Sequence, residues 1–337
     1  MKPRPTIKDV AARASVSRQT VSRVINDKDD ISPATRDRVL AAVEELGYRP
    51  SAVARSMVAG RTRTLGCISP NLTDYTFAGV IEGAQAEARR QGYFIITGSA
   101  PTAADVAPLL EEMLLRQVDG LLVLNPHADE RYQHLLPLIE KGMAVVYLGS
   151  DPHGEPVPVV RNDDREGGYQ ATRYLVGLGH TRIAMITGPQ NEDCVQDRIA
   201  GYVRALTEAG RSVATDLIVT GDWSPDSGYQ ALQRFLTAGL QFSALFAQND
   251  RMAAGAIQAA RERGRRVPDD LAVVGFDDIP LAPYFDPPLT TIHQDAFEHG
   301  RQAARLLIHQ IEYPGSPVEH ITIPCELVVR RSCGAIS

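Results

Sequence analysis

The sequence predicts a small N-terminal all-α helix-turn-helix domain followed by an α/β core of two doubly wound parallel-sheet subdomains. Three observations carry this. Residues 1–64 hold 13 Lys and Arg against 7 Asp and Glu, and the remainder 22 against 34, so a head of +6 precedes a body of −12 in a chain of 337 residues. Residues 6–26 set two short apolar faces around the tight turn Ala14-Ser15-Val16-Ser17. From Thr64 onward, short apolar runs alternate with amphipathic stretches over about 270 residues, the rhythm of βα units.

The head is read first. Thr6 followed by Asp9 is a capping-box-like start, and Val10, Ala11 and Ala14 form the inward face of the first helix. Ser17 is a good N-cap for a second helix that buries Val21, Val24 and Ile25. That helix offers Arg18, Gln19 and Arg23 outward, with Ser17, Thr20, Ser22 and Asn26 beside them. Arg pairs bidentately with guanine and Gln with adenine in the major groove, so the pattern is that of a DNA-reading helix. The bland alternative is a solvated polar face. A third helix starts at Ser32-Pro33 and runs through Val39, Leu40, Val43 and Leu46 to Gly47, closing a three-helix core. The segment Ser51 to Gly60 is helical in composition but about two turns long, too short to be stable alone. Ala54 is small enough for two such helices to pack. Met57 suits an apolar wedge of the kind that enters a minor groove, with Arg55 beside it for phosphates or groove edges; a flexible linker with an incidental Met is the alternative.

In the body, Leu65–Ser69, Tyr93–Thr97, Gly120–Leu124 and Ala144–Leu148 read as buried parallel strands, with helices around 77–91, 105–117 and 130–141. Arg182–Thr187, Asp216–Thr220, Ala244–Ala247 and Leu271–Phe276 repeat the rhythm, which implies two sheets with a cleft between them. The Walker glycine loop, GxSxG, HExxH and CxxC are all missing from the sequence, so no enzyme, metal or cofactor is expected. The four cysteines are scattered and expected to be reduced. The start Met-Lys-Pro-Arg-Pro lacks an apolar signal region and no run reaches the ~18 apolar residues of a membrane span, so a cytoplasmic, nucleoid-associated protein is expected.

Asp-Val-Ala-Xaa-Xaa-Ala from Asp9, Val-Ser-Xaa-Xaa-Thr-Val-Ser-Arg-Val-Ile-Asn from Val16, Gly47-Tyr48-Xaa-Pro50 and Ala54-Arg55-Ser56 occur in order. With them the chain resembles the LacI/GalR family of bacterial transcription regulators. Asp163, Glu166-Gly-Gly168, Gly179-His180, Arg198-Xaa-Xaa-Gly201, Asn249-Asp250 and Gly275-Phe-Asp-Asp278 extend the resemblance to about residue 332. It implies base contacts by Arg18, Gln19 and Arg23, hinge helices of a dimer entering the central minor groove, and a core like the periplasmic sugar-binding proteins. The family's usual hinge wedge is Leu; Met57 stands there instead. The implied division is 1–49 for the DNA-binding domain, 50–62 for the hinge and 63–337 for the effector and dimerisation domain. Within the last, one subdomain covers about 63–162 plus 294–323 and the other about 163–293 plus 324–337.

Ligands of doubly wound folds sit beyond the carboxyl ends of the strands. There Arg198 offers bidentate donors to vicinal hydroxyls or a carboxylate, and Asp277 accepts from hydroxyls. Asn249 fits a ligand contact or an N-cap, and Phe77 a stacking or a core role. Trp223, the sole tryptophan, suits stacking on a sugar or a base. Glu166 and Gln294 match ligand positions of some relatives. His180 is expected to be a structural hydrogen-bonding histidine, while His293 is a weaker cleft candidate. The acidic pairs, such as Asp163-Asp164, default to loop or cap roles. Together these residues predict a transcription regulator, in the repressor sense, binding a palindromic double-stranded operator as a homodimer under control of a sugar. No leucine-heptad tail follows Arg331, which favours dimer over tetramer. A purine effector is the alternative. Phe77 corresponds to an aromatic of the purine-responsive relatives, but Gly149 stands where their second stacking ring would fall. A solute-binding protein without a DNA role is the remote one.

Overall fold

The computed structural model describes residues 5–25, 31–49 and 60–334. The chain divides into two compact units, Met1–Arg63 and Thr64–Ser337. In the first, α1 (Ile7–Ala14), α2 (Arg18–Ile25) and α3 (Pro33–Leu46) enclose a core of Val10, Ala11, Ala14, Val21, Val24, Val39 and Ala42. The predicted starts of α1 and α2 form as expected, whereas the Ser32 hydroxyl before α3 donates to Thr35 Oγ1 (3.0 Å) and caps no backbone N–H. Thr6 N–H donates to Asp9 Oδ2 (2.7 Å), which holds the Asp9 carboxyl below its usual range, and Thr20 N–H donates to Ser17 Oγ (3.0 Å). Gly47, at φ 59°, ends α3. One expectation fails: Leu40 is 48% exposed, and Ala42 takes the inward place. At 100° per residue, position 42 is 60° from the buried Val39 and position 40 is 100° away.

The second unit holds two six-stranded sheets among the described residues. Strands β1 (Thr64–Ser69), β2 (Phe94–Ser99), β3 (Gly120–Leu124), β4 (Ala144–Leu148), β5 (Val159–Asn162) and β11 (His320–Ile323) lie in the order β11-β5-β4-β3-β1-β2, all parallel. The second sheet takes β6 (Ile183–Thr187), β7 (Ile218–Thr220), β8 (Ala244–Ala247), β9 (Ala272–Asp277), β10 (Thr290–Gln294) and β12 (Cys325–Val328). Their order is β12-β10-β9-β8-β6-β7, with β12 antiparallel to β10. Central strands such as β3, β6 and β8 are buried at every residue, which is why they read as continuous apolar runs.

Helices α4 (Tyr75–Arg90) and α5 (Ala103–Leu115) cover the first sheet with α6 (Leu136–Glu140) and α11 (Ala296–Glu312). The second sheet is flanked by α7 (Asp164–Gly177), α8 (Asp193–Glu208), α9 (Pro225–Thr237) and α10 (Asp250–Glu262). The predicted helix 130–141 is instead a 3-10 stretch, Ala128–His134, followed by α6. The chain passes between sheets three times, from β5 to α7, from β10 to α11 and from β11 to β12. These strands were not in the sequence prediction. Glycines let α7 and α8 meet closely: a Cβ on Gly168 would lie 2.4 Å from the Arg198 carbonyl oxygen, and one on Gly201 2.2 Å from that of Arg165. No helix among the described residues is long and apolar enough to cross a membrane.

Candidate DNA-reading face and effector cleft

On α2, Arg18, Gln19 and Arg23 are exposed, as is the capping Ser17, while Ser22 and Thr20 are half-buried. Residues 18, 19, 22 and 23 span about 140° of arc at 100° per residue, facing away from the buried Val21 and Val24. The helix is therefore held by its valines and presents its polar arc. Asn26, Ala54, Arg55 and Met57, with the expected hinge helix, lie outside the described residues.

The cleft between the two sheets has an empty volume of about 920 Å³, part of it open to solvent. Its walls come from the carboxyl ends of strands in both sheets. The first wall carries Asn71, Asp74 and Phe77 after β1, Asn125 after β3, Gly149 after β4, Asn162 of β5 and His299 of α11. The second carries Asp164, Glu192, Cys194, Arg198, Asp222, Trp223, Asn249, Arg251, Asp277 and Gln294.

Six of the seven predicted effector residues line this space, and Glu166 does not. Its side chain is half exposed and faces Arg204 (3.5 Å). The helix period explains this: α7 turns Asp164 into the cleft, and a residue two places on points about 200° away. The default cap role holds for Asp163, whose side chain accepts from Glu166 N–H (3.1 Å), but not for the buried Asp164.

Arg198 is 5% exposed and its donors are committed. Nε and Nη2 both meet Asp164 Oδ1 at 2.7 Å, Nη1 donates to the Gln248 carbonyl, and the guanidinium lies 3.7 Å from the Phe276 ring centroid. Burial alone would lower its pKa, but Asp164, Cys194 and Asp277 outweigh it and the group stays charged. The Arg198 guanidinium also faces the Trp223 ring at 5.6 Å. Trp223 is fixed at every edge: Nε1 donates to Glu192 Oε1 (2.9 Å), its carbonyl accepts from Asn249 Nδ2 (3.1 Å), and its ring fills the space of a Cβ at Gly188. Its φ of 70° is strained for a bulky residue, as is the φ of 113° at Asp277, a cost of order 1–3 kcal/mol each that clusters at functional sites.

Asn249 fills the cap role, its Oδ1 accepting from Met252 N–H (2.8 Å), so its side chain orders the wall that it lines. Asp277 Oδ1 accepts from Gln294 Nε2 (2.6 Å), and Gln294 Oε1 accepts from Asn162 Nδ2 across the cleft. Burial, with Asp250 and Asp74 nearby, lifts the Asp277 carboxyl well above the usual range. Further bridges between the walls run from Arg251 Nη1 to Asp74 Oδ2 (3.1 Å), from Asn125 Nδ2 to Glu192 Oε2 (3.3 Å) and from His153 Nε2 to Asp193 Oδ2 (2.9 Å). Phe77 is half-buried, packing on the first sheet's core and lining the cleft at once. His180 bonds Ser243 Oγ (2.8 Å), and His293 pairs with Asp278 outside the cleft. The sequence reading missed Glu192, Cys194, Asp222, Asn162 and His299. Glu192, Cys194 and Asp222 follow predicted strands, so the rule that ligands sit beyond strand ends would have found them.

Residues 6–51 match the family model of bacterial regulatory proteins of the lacI family, and residues 172–333 match that of a periplasmic binding protein-like domain. The HTH-type transcriptional repressor PurR of Vibrio campbellii is 37% identical over 97% of this chain and 98% of its own. The HTH-type transcriptional regulator CelR of Thermobifida fusca is also 37% identical, over 98% of each chain. The solved complex of CelR with cellobiose shares 36% identity at TM-score 0.76, covering 98% of this chain and 100% of that one. The Lac repressor dimer bound to operator and the anti-inducer ONPF shares 28% identity at TM-score 0.87, over 99% and 100%. The chain thus belongs to the lacI family of bacterial regulatory proteins: it is a DNA-binding transcriptional regulator responsive to a small-molecule effector, and not an enzyme.

Proposed function

We propose that this regulator is a repressor that binds a palindromic operator as a homodimer and responds to a sugar held in the cleft. A single head reads one half-site, so a two-fold operator calls for two copies of the chain. The observation that carries the sugar reading is the Trp223 indole, fixed by Glu192, Asn249 and Gly188 beside a ring of amide and carboxyl acceptors. An apolar ring face flanked by hydroxyl partners is the chemistry of a pyranose. The PurR of Vibrio campbellii and CelR, which is solved with cellobiose, are each 37% identical to this chain, so identity alone does not select the ligand. Gly149 favours the sugar, because its φ of 77° and the Asn125 Oδ1 only 2.7 Å from a would-be Cβ leave no place for a second stacking ring. Effector binding acts by favouring one relation of the two walls over another, which requires different affinity for the two states. DNA-bound work of this kind belongs in the cytoplasm, at the nucleoid.

The sole tryptophan makes the test direct. Neutral mono- and disaccharides, cellobiose among them, are titrated against the full chain with Trp223 emission as readout, and hypoxanthine and guanine serve as the purine arm. Saturable quenching by a sugar and none by the bases is the expected result. Quenching by the bases alone overturns the sugar reading. Operator binding is measured by DNA anisotropy and should weaken steeply as salt rises.

A further inference from the structure

We infer that the effector carries no negative charge, and that Glu192 and Asp222 are the residues that turn anionic analogues away. The inference rests on the effector reading above and narrows it to neutral or cationic hydroxyl-bearing ligands, excluding sugar phosphates and sugar acids.

The first ground is the charge of the cleft. Five carboxyl groups line it, those of Asp74, Asp164, Glu192, Asp222 and Asp277, the last pushed toward its neutral form by burial. Only two guanidiniums do, those of Arg198 and Arg251, and each already has a carboxylate partner in the wall. Arg198 is the residue that the sequence offers to a ligand carboxylate, yet Asp164 and the Gln248 carbonyl occupy its donors. An incoming phosphate or carboxylate would meet more carboxyl groups than guanidiniums on these walls, a balance that disfavours added negative charge even at the exposed Asp222.

The second ground is independent of charge. Two acceptors buried in the first wall have no hydrogen-bond partner, Asn162 Oδ1 and His299 Nδ1. The tautomer of His299 follows from its geometry: Nε2 faces the Val160 carbonyl at 2.8 Å and therefore carries the proton, leaving Nδ1 as an acceptor. Burial holds this imidazole neutral, with its pKa down at about 4. Orphaned acceptors are satisfied by donors, so the ligand presents hydroxyl or ammonium groups to this wall, while the charge of the cleft decides which hydroxyl-bearing ligands are turned away.

The test uses matched pairs on the full chain: glucose with glucose 6-phosphate and glucuronate, cellobiose with cellobionate, and guanosine with its monophosphate. Affinities are read by Trp223 quenching and by thermal shift. Within whichever skeleton binds, the neutral member should bind at least about tenfold more tightly than its anionic partner, and Glu192→Gln or Asp222→Asn should narrow that gap by about threefold or more. Glucosamine should bind at least as well as glucose phosphate in every variant. An anionic member that matches its neutral partner in the unmodified chain overturns the inference. So does a gap that neither substitution changes while both variants keep their melting temperature. Binding confined to guanosine over its monophosphate sinks the sugar reading but upholds the charge rule, so the two failures are distinguishable.

Discussion

The two walls of the cleft differ in how completely their polar groups are satisfied. In the second wall almost every polar group is spent on protein: Arg198 on Asp164, Trp223 on Glu192, Asn249 on the start of α10. In the first, Asn162 Oδ1 and His299 Nδ1 have no partner, and Phe77 is half covered. A wall with satisfied bonds keeps its shape without ligand, whereas a wall with orphaned acceptors gains most when a donor arrives. On this contrast the second wall is expected to hold the recognition geometry, and the first to gain most from occupancy.

The largest effect should come from breaking the second wall's ion pair. Arg198→Ala leaves Asp164 buried without its cation, and urea denaturation should show a loss of about 3–5 kcal/mol together with loss of effector binding. A loss under 1 kcal/mol would mean that the pair is not structural.

The first wall has a pH signature. His299 has a folded pKa of about 4 against 6.5 for the free group, so the unfolded chain binds the extra proton between those values. Its contribution is fully present above pH 6.5 and is lost as pH falls toward 4, by roughly 3 kcal/mol at most. His127, also lowered to about 4 by burial and then by His153, adds in the same direction. Asp250, lifted to about 7 by burial, works in the opposite one. Comparing His299→Gln with the unmodified chain isolates the histidine: the variant's stability curve should be flatter between pH 6.5 and 4, and parallel curves would contradict the assignment.

Smaller still is Gly188→Ala. Its methyl would meet the indole of Trp223 at 2.1 Å, costing about 1–3 kcal/mol in stability and shifting Trp223 emission. Glu166→Ala marks the lower end. It removes a half-exposed side chain outside the cleft, so stability should stay within ~0.5 kcal/mol and effector affinity should not move.

How legible this was in the sequence depended on whether the signal was local. The α2 cap, its valine face and its outward Arg and Gln are all encoded within a few residues, and apolar runs such as Gly120–Leu124 announce themselves. The crossing strands did not. β5 reads Val-Val-Arg-Asn and β10 Thr-Thr-Ile-His-Gln, four or five residues with too few apolar ones to announce a strand, and their last residues, Asn162 and Gln294, face the cleft. Arg198 and Asp277 were readable as cleft residues. That Arg198 is already consumed by Asp164, 34 positions away, is a fact of tertiary packing that no local pattern carries.

Occupancy of the cleft is expected to condition DNA reading by the head. One titration tests it: operator anisotropy and Trp223 emission followed together on the full chain as a quenching sugar is added. Operator affinity should change along the same saturation curve as the emission. Arg18→Ala should abolish the DNA signal while leaving sugar quenching unchanged. A sugar that saturates the emission without moving operator affinity would contradict that coupling.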